Sequence, residues 1–360
     1  MILVSILGAH HSELTPVYYS LFESLEGHLI LHDNAPWRVC AAQSLQRGMN
    51  AYEAANARSW RTDAVLLEGF TFAYDPAQIS ATLDRCAEGK EIWLHSSDTP
   101  LTLTLSWAKA IFDRGGKAIA YDIYENKASA IDGAYNSKPV ALKNLDLKTF
   151  CALADYKILR SETRSDLEPR REAVVSLFGA QKERFDRMRY EWRAKENCSR
   201  EALLKNYADI ARRLTVCGFD MPPSNKNALN NIGGIFEEAV FWIADSLGFD
   251  DLALGVQIEF APEVINEFDI LGVKGNRIFA IECKSGKLDL VETIYKYDSL
   301  ISYFGSGGKA VLVKSIKGAA PQPISQSVTK RGLLNGVLIY RLSAFNMEDF
   351  KSAIKGFFDL

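Results

Sequence analysis

Five short apolar runs punctuate the first 125 residues: ILVSILG (2–8), HLILHD (28–33), AVLLEGF (64–70), EIWLHSS (91–97) and KAIAYDIY (117–124). Their hydrophobicity is continuous rather than alternating, as in strands covered on both faces, and such strands belong to parallel sheets flanked by helices. Helical patterns fill the gaps over residues 15–25, 39–55, 76–87 and 102–113, with Asp75–Pro76 as a helix start and Gly115–Gly116 as a stop. This alternation predicts an α/β domain over residues 1–140, a Rossmann-like, doubly wound, mainly parallel sheet.

Ligands of such sheets sit beyond the carboxyl ends of the strands. Two loops occupy those ends here. One runs through Gly8, Ala9, His10, His11 and Ser12 to Thr15; the other runs through His95, Ser96, Ser97, Asp98 and Thr99 to Thr102. Both lead into helices, whose N-termini favour anions such as nucleotide phosphates. The same residue types are ordinary helix caps, so a purely structural role stands beside the ligand reading. The chain has no G-x-G-x-x-G and no G-x-x-x-x-G-K-[ST], which disfavours dinucleotide cofactors and P-loop NTPase activity.

The net charge of -3 is unevenly spread: residues 1–140 hold 11 basic and 16 acidic residues, the remainder 31 and 29. A polyanionic partner is therefore expected at the C-terminal part. All five histidines lie within the first 95 residues, so chemistry in the C-terminal part proceeds without one, excluding a Ser-His-Asp triad there. The six cysteines are widely spaced with no C-x-x-C pair, which fits a reducing cytoplasm, and no apolar run is long enough to span a membrane. A charged, helical connecting region is expected over 141–225. Within it KERFDRMRYEWRAKE (182–196) mixes basic residues with Phe185, Tyr190 and Trp192, as either a solvated helix or a single-strand contact would.

Residues 226–360 read as helix, three strands, helix and two further strands. The centre of this pattern is NEFDILGVKGNRIFAIECKSGK (266–287). Gly275–Asn276 is a favoured two-residue hairpin loop, and its register sets Asp269 opposite Glu282. Directly opposed side chains share a face about 5 Å apart, and two carboxylates there repel unless a cation intervenes. Lys284 lies on the same face, while Phe279, Ile281 and Cys283 form the other. The arrangement suits Mg²⁺ or Mn²⁺, which take oxygen ligands, with Lys284 placed to orient or deprotonate an attacking water. Glu237, on the preceding helix, is the expected third acid, and its neighbour Glu238 is expected to point outward. A salt-bridged, solvated sheet face is the alternative.

With these residues in view, 234–316 resembles the PD-(D/E)xK restriction-endonuclease-like superfamily. GGIFEEAVF, NEFDIL, IECKSG and IYKYDSLISYFGSGGKAVLV resemble a narrower branch, in which a CRISPR-associated Rossmann-fold (CARF) sensor is fused to such a nuclease. The resemblance implies a homodimeric, type III CRISPR effector in antiviral defence. A cyclic oligoadenylate, usually cyclic tetra-adenylate, would switch on cleavage of single-stranded DNA, RNA or nicked duplex DNA. It implies metal ligation by Glu237, Asp269 and Glu282, with the Cys283 carbonyl as a further ligand. Lys284 and Lys296 would be catalytic, and the two sensor loops would be ligand-binding. The family's Thr-Gly-Gly-Thr-Lys-like loop is replaced here by His95-Ser96-Ser97-Asp98-Thr99-Pro100-Leu101. Two other readings are an ungated DNA endonuclease of repair or restriction, with a Rossmann dimerisation domain, and a binding module on a decayed nuclease fold.

Overall fold

The first five strands, β1 (Ile2–Ile6), β2 (Gly27–His32), β3 (Thr62–Leu66), β4 (Ile92–Ser96) and β5 (Lys117–Asp122), form a parallel sheet in the order 3-2-1-4-5. The structure is a computed structural model. It describes the whole chain except residues 9–12, 68–73, 87–88, 195–204, 219–226, 285–289, 306, 316–323 and 344–345. Helices α1 (Leu14–Leu21), α2 (Pro36–Ala55), α3 (Pro76–Cys86) and α4 (Leu101–Phe112) alternate with the strands as the sequence predicts. The order reverses between β1 and β4, so the loops after these two strands flank the switch point where open α/β sheets bind ligands.

Two strands that the sequence did not mark extend this sheet. They are β6 (Lys127–Ile131) and β7 (Ser137–Val140), both antiparallel. Only the small Ala128 and Ala130 of β6 are buried, so these strands carry little of the apolar signal that marks the others.

A polar chain crosses the interior of this domain. Glu53 accepts hydrogen bonds from the Tyr18 and Thr62 hydroxyls at 2.6 Å each and from the Thr62 N–H at 3.0 Å. Because the Thr62 hydroxyl proton goes to Glu53, its oxygen accepts from Nδ1–H of His28 at 3.1 Å. Nε2 of His28 then accepts from Ser5 at 2.9 Å, which fixes a neutral tautomer. Burial holds that imidazole down to about 3.

The connecting region is helical at α5 (Leu147–Leu153), which Asp146 caps by accepting the Thr149 N–H at 2.6 Å. It is then interrupted by β8 (Lys157–Thr163), a polar, half-exposed edge strand of the second sheet. Further helices, α6 (Arg171–Phe178), α7 (Lys182–Ala194) and α8 (Ala208–Val216), follow. Phe185 of α7 is buried; the side chains of Tyr190 and Trp192 lie outside the described residues.

The second sheet has the order 13-12-11-10-9-8. After α9 (Asn227–Asp245) come the antiparallel strands β9 (Asp251–Ala261), β10 (Val264–Lys274) and β11 (Arg277–Lys284). The remainder is α10 (Leu290–Ser302), β12 (Lys309–Ser315), α11 (Gln326–Leu334), β13 (Val337–Leu342) and α12 (Met347–Phe358). Central β11 is buried on both faces. Phe279, Ile281 and Cys283 pack with Phe241 and Phe350 on one side, while Ile278 and Ala280 join a cluster with Tyr297 and Phe304 on the other. That second cluster continues through Phe260 and Phe150 to Leu45 and Met49 of α2, so one apolar core runs through both sheets' domains.

Candidate active site

The hairpin β10–β11 has the register the sequence predicts. Gly275 and Asn276 take φ of 54° and 61°, positive at both central positions as a type I′ turn requires. Pairs run from Lys274–Arg277 to Ile270–Ile281. One step further along lie Asp269 and Glu282. Here the side chain replaces the ladder: Asp269 Oδ2 accepts the Cys283 N–H at 2.6 Å. On the other side of Asp269 the β9 register runs through Gly255, whose φ is 60° and whose missing Cβ faces open space. The β8–β9 register also shifts beside it, the local bending that bulges bring to sites.

Burial, then the charges of Glu282 and Glu237, push the Asp269 carboxyl well above the ordinary range, against the pull of the Cys283 N–H and Lys284. Glu237, on α9, is also raised, by burial first; Lys284 opposes the rise, and Glu282 and Glu267 add to it. Burial alone would lower Lys284, but its ion pair with Glu282 Oε1 and the fields of Asp269 and Glu237 outweigh that, and it is held cationic. Glu237, Asp269, Glu282 and Lys284 thus sense one another at one end of the sheet. Among the described residues no three acidic, histidine or cysteine side chains form a closed metal cage. The donors are nonetheless hard oxygens whose mutual repulsion a divalent cation would relieve, and Mg²⁺ needs only one or two carboxylates beside its waters. The residues fit such an ion.

Tyr297 of α10 was not anticipated. Its buried hydroxyl donates to Glu282 Oε2, so both oxygens of this carboxylate are engaged, one by a phenol and one by Lys284. Tyr297 lies on the apolar stripe with Ile294 and Leu300 and reads as core; a lone hydroxyl on that stripe was the available signal. Lys296 beside it is exposed, its ammonium 5.6 Å from the Tyr297 ring. Glu238 corrects the expectation of an outward side chain. It is 4% exposed, accepts from Arg170 Nε at 2.6 Å and from Trp242 Nε1 at 3.4 Å, and ties α9 to the connecting region. The Cys283 side chain points into the far core, and only its main chain meets Asp269.

In the N-terminal domain, Ala9, His10, His11 and Ser12 lie outside the described residues. Gly8 packs so closely that a Cβ would sit 1.7 Å from the Ser97 carbonyl oxygen, and its N–H donates to Ser97 Oγ at 3.3 Å. Asp98 is exposed with φ 33°, a backbone that side chains seldom adopt. Ser96, Thr104 and Thr99 form a hydroxyl chain, with Thr99 and Thr104 2.7 Å apart, and Thr102 donates to the Tyr74 hydroxyl at 3.4 Å. Thr15 and His95, expected at the pocket, are buried at 0% and 1% exposure. A cavity of about 220 Å³ opens at the carboxyl ends of the strands, bordered by His32, Asp33, Arg38, Tyr74, Thr99 and Leu103. Sequence reasoning passed over the end of β2, where Arg38 pairs with Asp33.

No protein-family model and no curated protein sequence matches the chain. Solved structures match along its whole length. Can2 from Sulfobacillus thermosulfidooxidans, in complex with cyclic tetra-adenylate, aligns over 100% of this chain and 99% of its own, with TM-score 0.68 and 16% identity. Protein VC1899 from Vibrio cholerae aligns over 99% and 98%, with TM-score 0.68 and 15% identity. A type III CRISPR defence DNA nuclease activated by cyclic oligoadenylate aligns over 98% of this chain and 51% of its own, with TM-score 0.58 and 15% identity. The two sheets define a two-domain α/β protein, Rossmann-like at its N-terminal side and restriction-endonuclease-like at its C-terminal side. End to end, the particular architecture is the one that Can2 and VC1899 share.

Proposed function

We propose that the chain is a cyclic-oligoadenylate-activated, divalent-metal-dependent nuclease of type III CRISPR defence, cleaving DNA or RNA phosphodiesters. The carrying observation is the convergence of Asp269, Glu282, Lys284 and Glu237 at the end of the β10–β11 hairpin, in a fold shared along its length with Can2. Mg²⁺ or Mn²⁺, held by Asp269, Glu282 and Glu237 with the Cys283 carbonyl, would supply positive charge to the scissile phosphate and acidify a bound water. Lys284 neutralises charge developing on the phosphate and orients the attacking water. The Cys283 N–H aims Asp269, and Tyr297 fixes Glu282. Lys296, exposed beside Tyr297, meets the nucleic acid backbone.

The loops after β1 and β4, with the cavity at Arg38 and Tyr74, form the nucleotide pocket. Leu101 and Leu105, one helical turn apart on α4, are 70% and 57% exposed, an apolar strip that a second copy would cover in a homodimer. Among the described residues no helix is long and apolar enough to cross a membrane, and we place the enzyme in the cytoplasm. Cleavage of single-stranded DNA, RNA and nicked duplex DNA with Mn²⁺, with and without cyclic oligoadenylates of three, four and six units, tests this reading. Cleavage that never needs the nucleotide would leave the second reading, an ungated endonuclease. Asp98 favours that second reading, because it sets an exposed carboxylate in the loop where phosphates would sit.

A further inference from the structure

Hairpin tips are ordinarily solvated, yet Asn276 at the tip of the catalytic hairpin is 2% exposed. Its side chain makes three hydrogen bonds, all to the sensor side of the molecule. Oδ1 accepts the Leu145 N–H at 2.8 Å. Nδ2 donates to Asn126 Oδ1 at 2.9 Å and to the Lys143 carbonyl at 3.2 Å. Asn126 occupies the β5–β6 turn, and Lys143 and Leu145 lie in the segment leaving the first sheet. A type I′ turn asks only for positive φ, which glycine satisfies as well, so the amide is not needed by the turn itself.

The neighbouring contacts reinforce the same joint. A Cβ on Gly307 would lie 3.0 Å from both Arg277 Cδ and Ile123 Cδ1, so this glycine lets β11 and the β5–β6 turn close on one another. From its own domain the turn is held by Asp250, which accepts the Gly275 N–H at 2.7 Å. On the sensor side, His95 meets Tyr121 edge-on at 6.2 Å, and Tyr121 directly precedes the Asp122–Lys127 pair that closes the Asn126 turn. His95 directly precedes the 96–99 loop. Five paired positions of β10, Ile270 to Lys274, about 17 Å of strand, carry the chain from Asp269 to the turn that holds Asn276.

We propose that Asn276 is the positioning residue by which the sensor domain sets the catalytic hairpin, and that nucleotide occupancy reaches Asp269 and Glu282 through this joint. The inference rests on the gated reading above and specifies the contact that carries the regulation. One unbroken ladder joins β10 to β11 from Lys274–Arg277 at the turn to Ile270–Ile281 beside the carboxylates, so a shift at the tip is passed along it.

The test uses full-length Asn276→Gly, which keeps the turn's positive φ and removes the amide, and Asn126→Ala, which removes one partner from the sensor side. Cyclic tetra-adenylate binding is read by calorimetry, activation as the ratio of cleavage with to without nucleotide, and the joint by hydrogen exchange of the Leu145 amide. Nucleotide binding is expected to stay within about twofold of wild type, while the activation ratio falls about tenfold in Asn276→Gly and less in Asn126→Ala. The Leu145 amide is expected to exchange about tenfold faster in Asn276→Gly. A wild-type activation ratio in Asn276→Gly overturns the proposal. If wild type itself answers to no nucleotide, the gated reading fails in wild type alone. Exchange then decides the joint, and unchanged Leu145 protection in Asn276→Gly overturns it.

Discussion

Tyr297 and Glu282 meet across the α10–β11 packing, the phenol donating to one carboxylate oxygen while Lys284 holds the other. Phenylalanine at 297 keeps the ring's packing and removes only the donor, leaving a buried oxygen unpaired. Tyr297→Phe is expected to fold normally, to lose about 10–100-fold in cleavage, and to need more Mn²⁺ for half-maximal activity. A metal titration of both proteins checks this; superimposable curves would show the hydroxyl to be structural.

Burial and the charges of Glu282 and Glu237 hold the Asp269 carboxyl well above the ordinary range. Its folded-state affinity for a proton is raised, so the unfolded chain releases that proton first, and stability contributed by this group falls as pH rises past the ordinary aspartate value. Asp269→Asn in chelator is therefore expected to melt at least about 2 °C above wild type at neutral pH. Added Mn²⁺ should raise the wild-type melting temperature and leave the variant's unchanged. Equal melting temperatures with and without metal in the wild type would argue against ion binding here.

Lys284→Ala removes the cation that three carboxylates hold. Cleavage is expected to drop by about 10²–10³-fold, with nucleotide binding at the sensor unaffected. Single-turnover assays beside calorimetry check both halves, and normal cutting would move the catalytic assignment elsewhere.

Gly8 has no room for a side chain against the Ser97–Asp98 backbone. Gly8→Ala must displace the 96–99 loop, so nucleotide affinity is expected to fall at least about tenfold, a 1.4 kcal/mol loss, while metal-induced stabilisation persists. Unchanged affinity would place the pocket away from this loop.

His28 and His95 are buried and neutral, held down to about 3 and about 4 from 6.5, by burial in both cases. The unfolded chain therefore binds protons that the native N-terminal domain does not. Stability is full above about pH 6.5 and is lost as pH falls toward 4, by about 1.4 kcal/mol per pH unit for each imidazole. Denaturant unfolding at pH 7, 6 and 5, with His28→Asn as the comparison, tests this. An equally steep acid slope in the variant would assign the effect to other groups.

The β10–β11 hairpin was readable because two constraints agree there. Gly-Asn suits a two-residue hairpin loop, which sets the register, and the acids interrupt runs that burial demands be apolar. The five parallel strands were readable because their hydrophobicity is continuous, as burial on both faces demands. Glu238 was misjudged because its partner, Arg170, comes from 68 positions away, and adjacent helix glutamates differ only by a rotation. Strands β6, β7 and β8 escaped because short strands of small or charged residues, two of them at sheet edges, carry no strong apolar period. Tyr297 escaped because a tyrosine on an apolar stripe looks the same whether its hydroxyl is idle or engaged.

The apolar core that runs from Met49 through Phe150 and Phe260 to Phe304 makes the two halves poor cassettes. Severing the chain near residue 140 would strip an oily surface from each piece, and exchanging either half for a homologue would ask a foreign helix to fit the groove that α5 fills. Neither domain can therefore be replaced without redrawing the apolar seam between them.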